Sequence, residues 1–474
     1  NSVAVGRLAG CAAQGANAVA IGNSAGLNQQ GASCVAIGVL AGCGDQGASS
    51  VAVGNAAGKV SQGDYTVAIG EVAGSNAQGT EAVAIGHQAA RVSQGGDAVA
   101  IGYLAGSNAQ GAASVAIGDQ AGRVSQAANG VAIGYFAGSA SQGTQGIAVG
   151  YYAGKGDQGS DGVAIGRQAG ETSQGDQGIA IGFIAGYNAQ GGSAVAIGQQ
   201  SGRVNQGANA VAIGTQAGSA DQAAQAVAIG FLAGFSGQAA EGVAVGRESG
   251  RNGQGAQAIA IGRNAGSGDQ AAFGIAIGYF AGATAQASTG TAVGFQSGSG
   301  SQGTAATAVG YLSGHASQSA SAVAVGRYAG FASQGTSSVA IGNEAGTNSQ
   351  SSQSVAVGLS AGKNAQANNS VAVGVNAAIN SQGTSSVAIG LGAGQNSQGR
   401  FCVAIGHDAG KNGQPILSTF FSTNSIRTNQ GGGALYFQNS TGEFSWANSD
   451  DRIKDDEIVI TGAVKTLSKL RPQT

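Results

Sequence analysis

Ser449 and Lys454 stand five residues apart in the stretch Asn448-Ser449-Asp450-Asp451-Arg452-Ile453-Lys454. A hydroxyl and an amine at that offset suit a nucleophile and its base, provided that burial lowers the lysine pKa from its usual value of about 10.4. Read alone, the stretch is an ordinary charged loop ahead of a helix. The other reactive side chains are scattered. His87, His315 and His407 are too far apart along the chain to build a metal cluster. Cys11, Cys34, Cys43 and Cys402 show no Cys-x-x-Cys spacing and read as small space-filling residues. Glycine is abundant, but no Gly-x-Gly-x-x-Gly opens a helix and no Gly-Lys-Ser/Thr occurs, so a nucleotide site has no support. No metal and no cofactor are expected.

What frames these residues is a chain of 474 residues with 89 Gly, 9% charged and 5% aromatic residues, 2 Pro and no Met. Glycine without proline, and not at every third position, excludes a collagen helix. The 42% hydrophobic content is largely alanine, so large core-forming side chains are scarce. Twenty basic residues against 22 acidic ones leave no electrostatic footprint for nucleic acid or an anionic membrane. No apolar run approaches the roughly 20 residues of a membrane span, so membrane insertion is not expected. The chain opens in mid-repeat at Asn1, with neither an initiator Met nor a signal peptide, and reads as a fragment or a processed product.

The dominant feature is a period of 16. With Val3 as column one, that column recurs at 19, 35, 51 and every sixteenth residue to Val403, giving 26 copies without insertion or deletion. Column two is always Ala, column four always Gly and column twelve always Gln, from Gln14 and Gln30 through Gln206 to Gln414. Column one is Val or Ile except at Thr291 and Thr307, and column eight is Gly except at Ala90 and Ala378. Such density of glycine rules out helices, at about 1 kcal/mol for each Gly. Val-Ala-Ile-Gly alternates large and small, as a short strand does, and glycines at columns four and eight supply turns that need positive φ. One coil per 16 residues follows, with strands of successive coils paired in parallel at ~4.8 Å and a rod about 125 Å long. Cys11 and Cys43 share a column two repeats apart, roughly 9–10 Å, too far for a disulfide.

On this reading the large side chains of columns one and three fill the coil interior and the Ala of column two faces outward. The unvarying glutamine suits a ladder in which each side-chain amide donates to the next coil and accepts from the previous one. Two buried aliphatic side chains per coil offset only a small part of the conformational entropy lost in ordering sixteen residues. A thin coil of this kind calls for association, and the expected state is a homotrimer that meets through the Ala column.

"SVAIG" followed by "xxA" and a polar turn resembles the head repeat of trimeric autotransporter adhesins over residues 1–414. The resemblance implies an all-β, parallel β-solenoid of the left-handed β-roll kind that trimerises. The familiar repeat is near 14 residues, and here it is 16. Columns five and six carry the diversity, with Tyr135-Phe136, Phe183-Ile184, Phe231-Leu232 and Tyr279-Phe280 each three coils apart. Between them sit polar pairs such as Arg167-Gln168 and Arg247-Glu248, so that Tyr135, Phe183, Phe231 and Tyr279 belong to a candidate aromatic and arginine ridge for sugar rings or a host protein. The alternative is a turn that shields the coil edge or a subunit seam.

Pro415 ends the repeat. Residues 415–447 read as a β capping region, with strands in "ALYFQ" and "TGEFSW" joined by a turn at Asn439 to Gly442. Ile460, Ala463, Val464, Leu467 and Leu470 then fall at helical spacing, with Thr461 as N-cap. "LYFQNSTGEFSW" followed by "SDDRIK" resembles the entry to the endosialidase-type intramolecular chaperone of phage tail spikes and large DNA virus fibres. That resemblance implies that residues 448–474 begin a chaperone that sets register and is then cut away. Ser449 would attack the carbonyl of Asn448, with Lys454 taking its proton. The expected protein is a trimeric fibre or adhesin at an extracellular or virion surface, with a host glycan or receptor as possible partner. A bacterial adhesin head, or an ice-binding or matrix-forming solenoid, is the alternative; an ice binder should show a flat Thr array, which is absent. An enzyme acting on other molecules has no constellation to support it.

Overall fold

The computed structural model describes residues 1–422 and two short strands, Leu435–Gln438 and Glu443–Trp446. The repeats form a parallel β-solenoid with one coil per 16 residues and no helix among the described residues. Columns one to three make a 27-stranded parallel sheet in which each residue pairs with its counterpart sixteen residues on, as Val211 with Val227 and Ala212 with Ala228. Columns ten to twelve make a second row of parallel strands, in blocks of five, four, four and five, with single Gln–Gln bridges linking most of the intervening coils.

Which side of the first sheet faces inward is the reverse of the expectation. The Ala of column two is fully buried from Ala20 to Ala404, whereas Val and Ile of columns one and three lie on the outer surface; Ile229 is 37% exposed. The reason lies across the coil. A Cβ placed on Gly234 would lie 2.6 Å from Oε1 of Gln238 and 3.1 Å from Cβ of Ala228. Columns two, eight and twelve therefore meet at one point, and a branched side chain at column two has no room there. The interior is completed by column seven, Ala or Ser throughout, and by the small residues of column sixteen. With a side-chain period of two, reversing one residue reverses the whole face. The trimer surface expected at the Ala column is thereby excluded, because that column is inside.

The glutamine of column twelve fills the rest of the interior. Gln206 is 2% exposed. Its Nε2 donates to the carbonyls of Val195 at 2.9 Å and Ala210 at 3.4 Å and to Oε1 of Gln222 at 3.1 Å, while its Oε1 accepts from Nε2 of Gln190 at 3.0 Å. The same side-chain bond runs without a break from Gln126 to Gln398. Nearer the N-terminus it is interrupted. Gln14 donates only to the carbonyls of Val3 and Ala18, and Gln30 donates to that of Val19 while its own Oε1 is buried without a partner. Gln414, at the other end, has both side-chain polar atoms buried and unpaired.

Turn geometry explains the unvarying glycine. Gly230, in column four, has φ +127, and a Cβ there would sit 2.7 Å from the carbonyl oxygen of Gly246 in the next coil. Backbone thus stacks on backbone at this corner. Positive φ is not confined to glycine: columns six and fifteen adopt it in nearly every coil with ordinary side chains, including Val72 at φ 60 and Ile184 at φ 57. The coil geometry also outlasts the repeat. Past Pro415, Leu417 keeps the positive φ of column fifteen and Thr419–Phe421 pairs with Val403–Ile405. Leu435–Gln438 and Glu443–Trp446 pair antiparallel, with Phe437 opposite Phe444. The helix expected over 461–470 lies outside the described residues.

Candidate binding surface

Column five leaves the strand through the Gly of column four and forms an exposed edge along the rod. Tyr135, Phe183, Phe231 and Tyr279 all stand in it, and the intervening coils fill much of the space between them. Tyr135 stacks on Tyr151 with ring centroids 5.2 Å apart and planes 12° off parallel. The Arg167 guanidinium then lies 5.7 Å from the Tyr151 ring and 5.4 Å from that of Phe183. Further along, Arg247 covers Phe231 at 5.7 Å and Arg263 covers Tyr279 at 5.5 Å. Tyr279, Phe295 and Tyr311 stack in turn at 5.0 and 5.1 Å, and Arg327 closes the run 5.9 Å from Tyr311.

This arrangement changes what the ridge can do. A sugar stacks on an open ring face, and here most faces are already taken by the next ring or by an arginine. Each aromatic contact contributes about 0.5–1.5 kcal/mol and each exposed cation–π contact about 0.5–1 kcal/mol to holding neighbouring coils together. The 48-residue spacing of the four predicted residues is thus not the geometric unit. The sequence reading missed Tyr151, Phe295 and Tyr311; their signal was recurrence in column five at intervals of 16, masked by pairing columns five and six.

Burial pushes the Cys34 thiol up. Cys34 and Cys402 occupy column sixteen and donate to the carbonyls of Gly47 at 2.7 Å and Pro415 at 2.9 Å, as the Ser50 hydroxyl does to Gly63. They stand in for serine. Cys11 and Cys43 are also free thiols. Burial holds His315 below its usual value. The Lys363 ammonium, 2.6 Å from Oε2 of Glu344, holds that carboxyl low. No group of three or more His, Cys, Asp or Glu among the described residues is placed to hold a metal. No described helix is long and apolar enough to cross a membrane. Asn448, Ser449 and Lys454 lie outside the described residues.

No family model, curated protein or solved structure matches the chain at a significant level.

Proposed function

We propose that the chain is a structural fibre protein that associates as a homotrimer through its Val/Ile face and projects from a virus particle or cell surface, where it meets a host receptor or glycan. The observation that carries this reading is the outward face of columns one and three, apolar in all but two of the 26 coils at column one and in every coil at column three. At ~4.8 Å per coil and about 7 Å across, that face covers roughly 850 Å² on each chain, the size of one side of a standard stable interface. Its natural occupant is another copy, because only a partner with the same 16-residue period keeps apolar rows in register along the whole rod. The tail belongs to the same proposal, as an assembly clamp in which Ser449 and Lys454 cut the chain after Asn448.

Sedimentation at micromolar concentration tests it. The wild type should run as a trimer and Ile229→Lys with Ile261→Lys as a smaller species, because both residues lie on the outward face. A folded wild-type monomer would overturn the trimer. A trimer untouched by the two lysines would move the interface elsewhere and overturn this face as its seat.

A further inference from the structure

Column five contains one gap with the dimensions of a site. From residue 87 onward it reads His87, Tyr103, Asp119, Tyr135, Tyr151, Arg167, Phe183. His87 stacks on Tyr103 at 5.4 Å with planes 9° off parallel, and Tyr151 stacks on Tyr135. The remaining faces of Tyr103 and Tyr135 are turned towards each other across the coil of Asp119. Phe136 stands near edge-on to Tyr135, and Tyr152 of the following coil lies tilted 5.6 Å from it; among the described residues no ring contact besides His87 reaches Tyr103. Both tyrosines are solvent-accessible, at 48% and 41% exposure. Two strand spacings separate them, about 9.6 Å, so a group midway lies about 4.8 Å from each ring, inside the ~6 Å reach of a cation–π contact.

The chain itself shows what fits such a gap. Tyr151 and Phe183 are also two coils apart, and the guanidinium of Arg167 lies between them at 5.7 and 5.4 Å. At the equivalent place between Tyr103 and Tyr135 stands Asp119, too short to fill the space and opposite in charge. Among the described residues its carboxylate has no ion pair, only Nε2 of Gln120 at 3.2 Å. The nearest cation on the same coil, Arg123, is held 3.1 Å from Oε1 of Gln120.

We propose that Tyr103, Asp119 and Tyr135 form a binding slot for a guanidinium group, supplied by an arginine side chain of a partner polypeptide. A ring on either side favours a planar cation over a compact ammonium, and the carboxylate between them accepts the paired N–H groups of guanidinium. All three residues of the slot belong to one chain. Saturation-transfer NMR on the full chain, with N-acetyl-arginine methylamide as probe, tests it. The probe should take up saturation from the wild type, and its lysine analogue far less. Asp119→Asn should weaken the Kd about tenfold, as expected for one charge-assisted hydrogen bond. Asp119→Arg fills the slot from within, as Arg167 does, and should abolish probe binding without lowering the melting temperature. Equal saturation by wild type and Asp119→Arg would overturn the site, as would equal binding of the lysine analogue. An Asp119→Arg chain that melts well below wild type would show that the gap does not accept a guanidinium.

Discussion

Replacing Gln206 with leucine keeps the side-chain volume nearly constant and removes all polar capacity at one rung of the interior ladder. Gln222 Oε1 then loses the donor that reaches it at 3.1 Å, at a cost of about 1–3 kcal/mol for a buried acceptor left unpaired. Two carbonyl contacts, to Val195 and Ala210, are lost as well. The Ala210 carbonyl keeps its backbone partner Val195, and Nε2 of Gln190 keeps Ile179 and Ala194, so these losses are smaller. Leucine returns part of the deficit through apolar burial, leaving a net loss of about 2–3 kcal/mol. Gln46 is the internal control. Its Oε1 is already unpartnered and its Nε2 reaches only the Val35 and Ser50 carbonyls, both at 3.3 Å. Gln46→Leu should therefore cost about 1 kcal/mol or less. Native-state hydrogen exchange reads each effect locally, because coils contact only their neighbours and opening is local. Equal losses of protection around the two sites would refute the argument that the side-chain ladder, rather than mere filling of the coil, stabilises the interior.

Two further outcomes follow from the geometry. Gly230→Ala should lower stability by about 2–4 kcal/mol in thermal melts, since φ +127 and the Gly246 carbonyl both exclude a Cβ; Gly234→Ala should cost about 1 kcal/mol, because Ala90 and Ala378 already occupy that column at φ 45 and 48. For Glu344, a folded pKa held below the ordinary carboxyl value by Lys363 means that its contribution is present above the unfolded pKa of about 4.3 and is lost as pH falls through the folded value. With both side chains about a third exposed, the loss should be a few tenths of a kcal/mol, visible in melts between pH 6 and pH 3 and smaller in Lys363→Met, where Ser360 and Arg327 still act on the carboxylate.

Period, coil count and parallel pairing were legible in the sequence because they depend only on recurrence. The direction of the sheet was not. Alternation in Val-Ala-Ile defines two faces, but which one turns inward depends on what stands across the coil, ten residues from Ala228 in the case of Gln238. The invariance of Ala, Gly and Gln carried that information: the three unvarying columns are the ones that meet backbone or one another, while Val and Ile interchange freely because they face outward. Positive φ at columns six and fifteen was equally hidden, since residues as different as Val72, Glu81 and Tyr152 adopt it under the constraint of the stacked coil. Pro415 ended the sequence pattern but not the backbone path, which holds to Ser422 through the carbonyl of Ile405.

This division of labour bears on where recognition resides. An interior built from alanine, glycine and one amide is nearly the same in every coil, so it fixes the spacing of the outer columns without specifying their content. Column five can then change one residue at a time, and its consequences follow from neighbours two strands apart rather than from the fold. An arginine between two rings closes the ladder at Arg167; an aspartate in the same setting opens it at Asp119. A single substitution at an exposed edge position thus separates a rod segment that binds itself from one able to bind an arginine of another chain, while the coil beneath is unchanged.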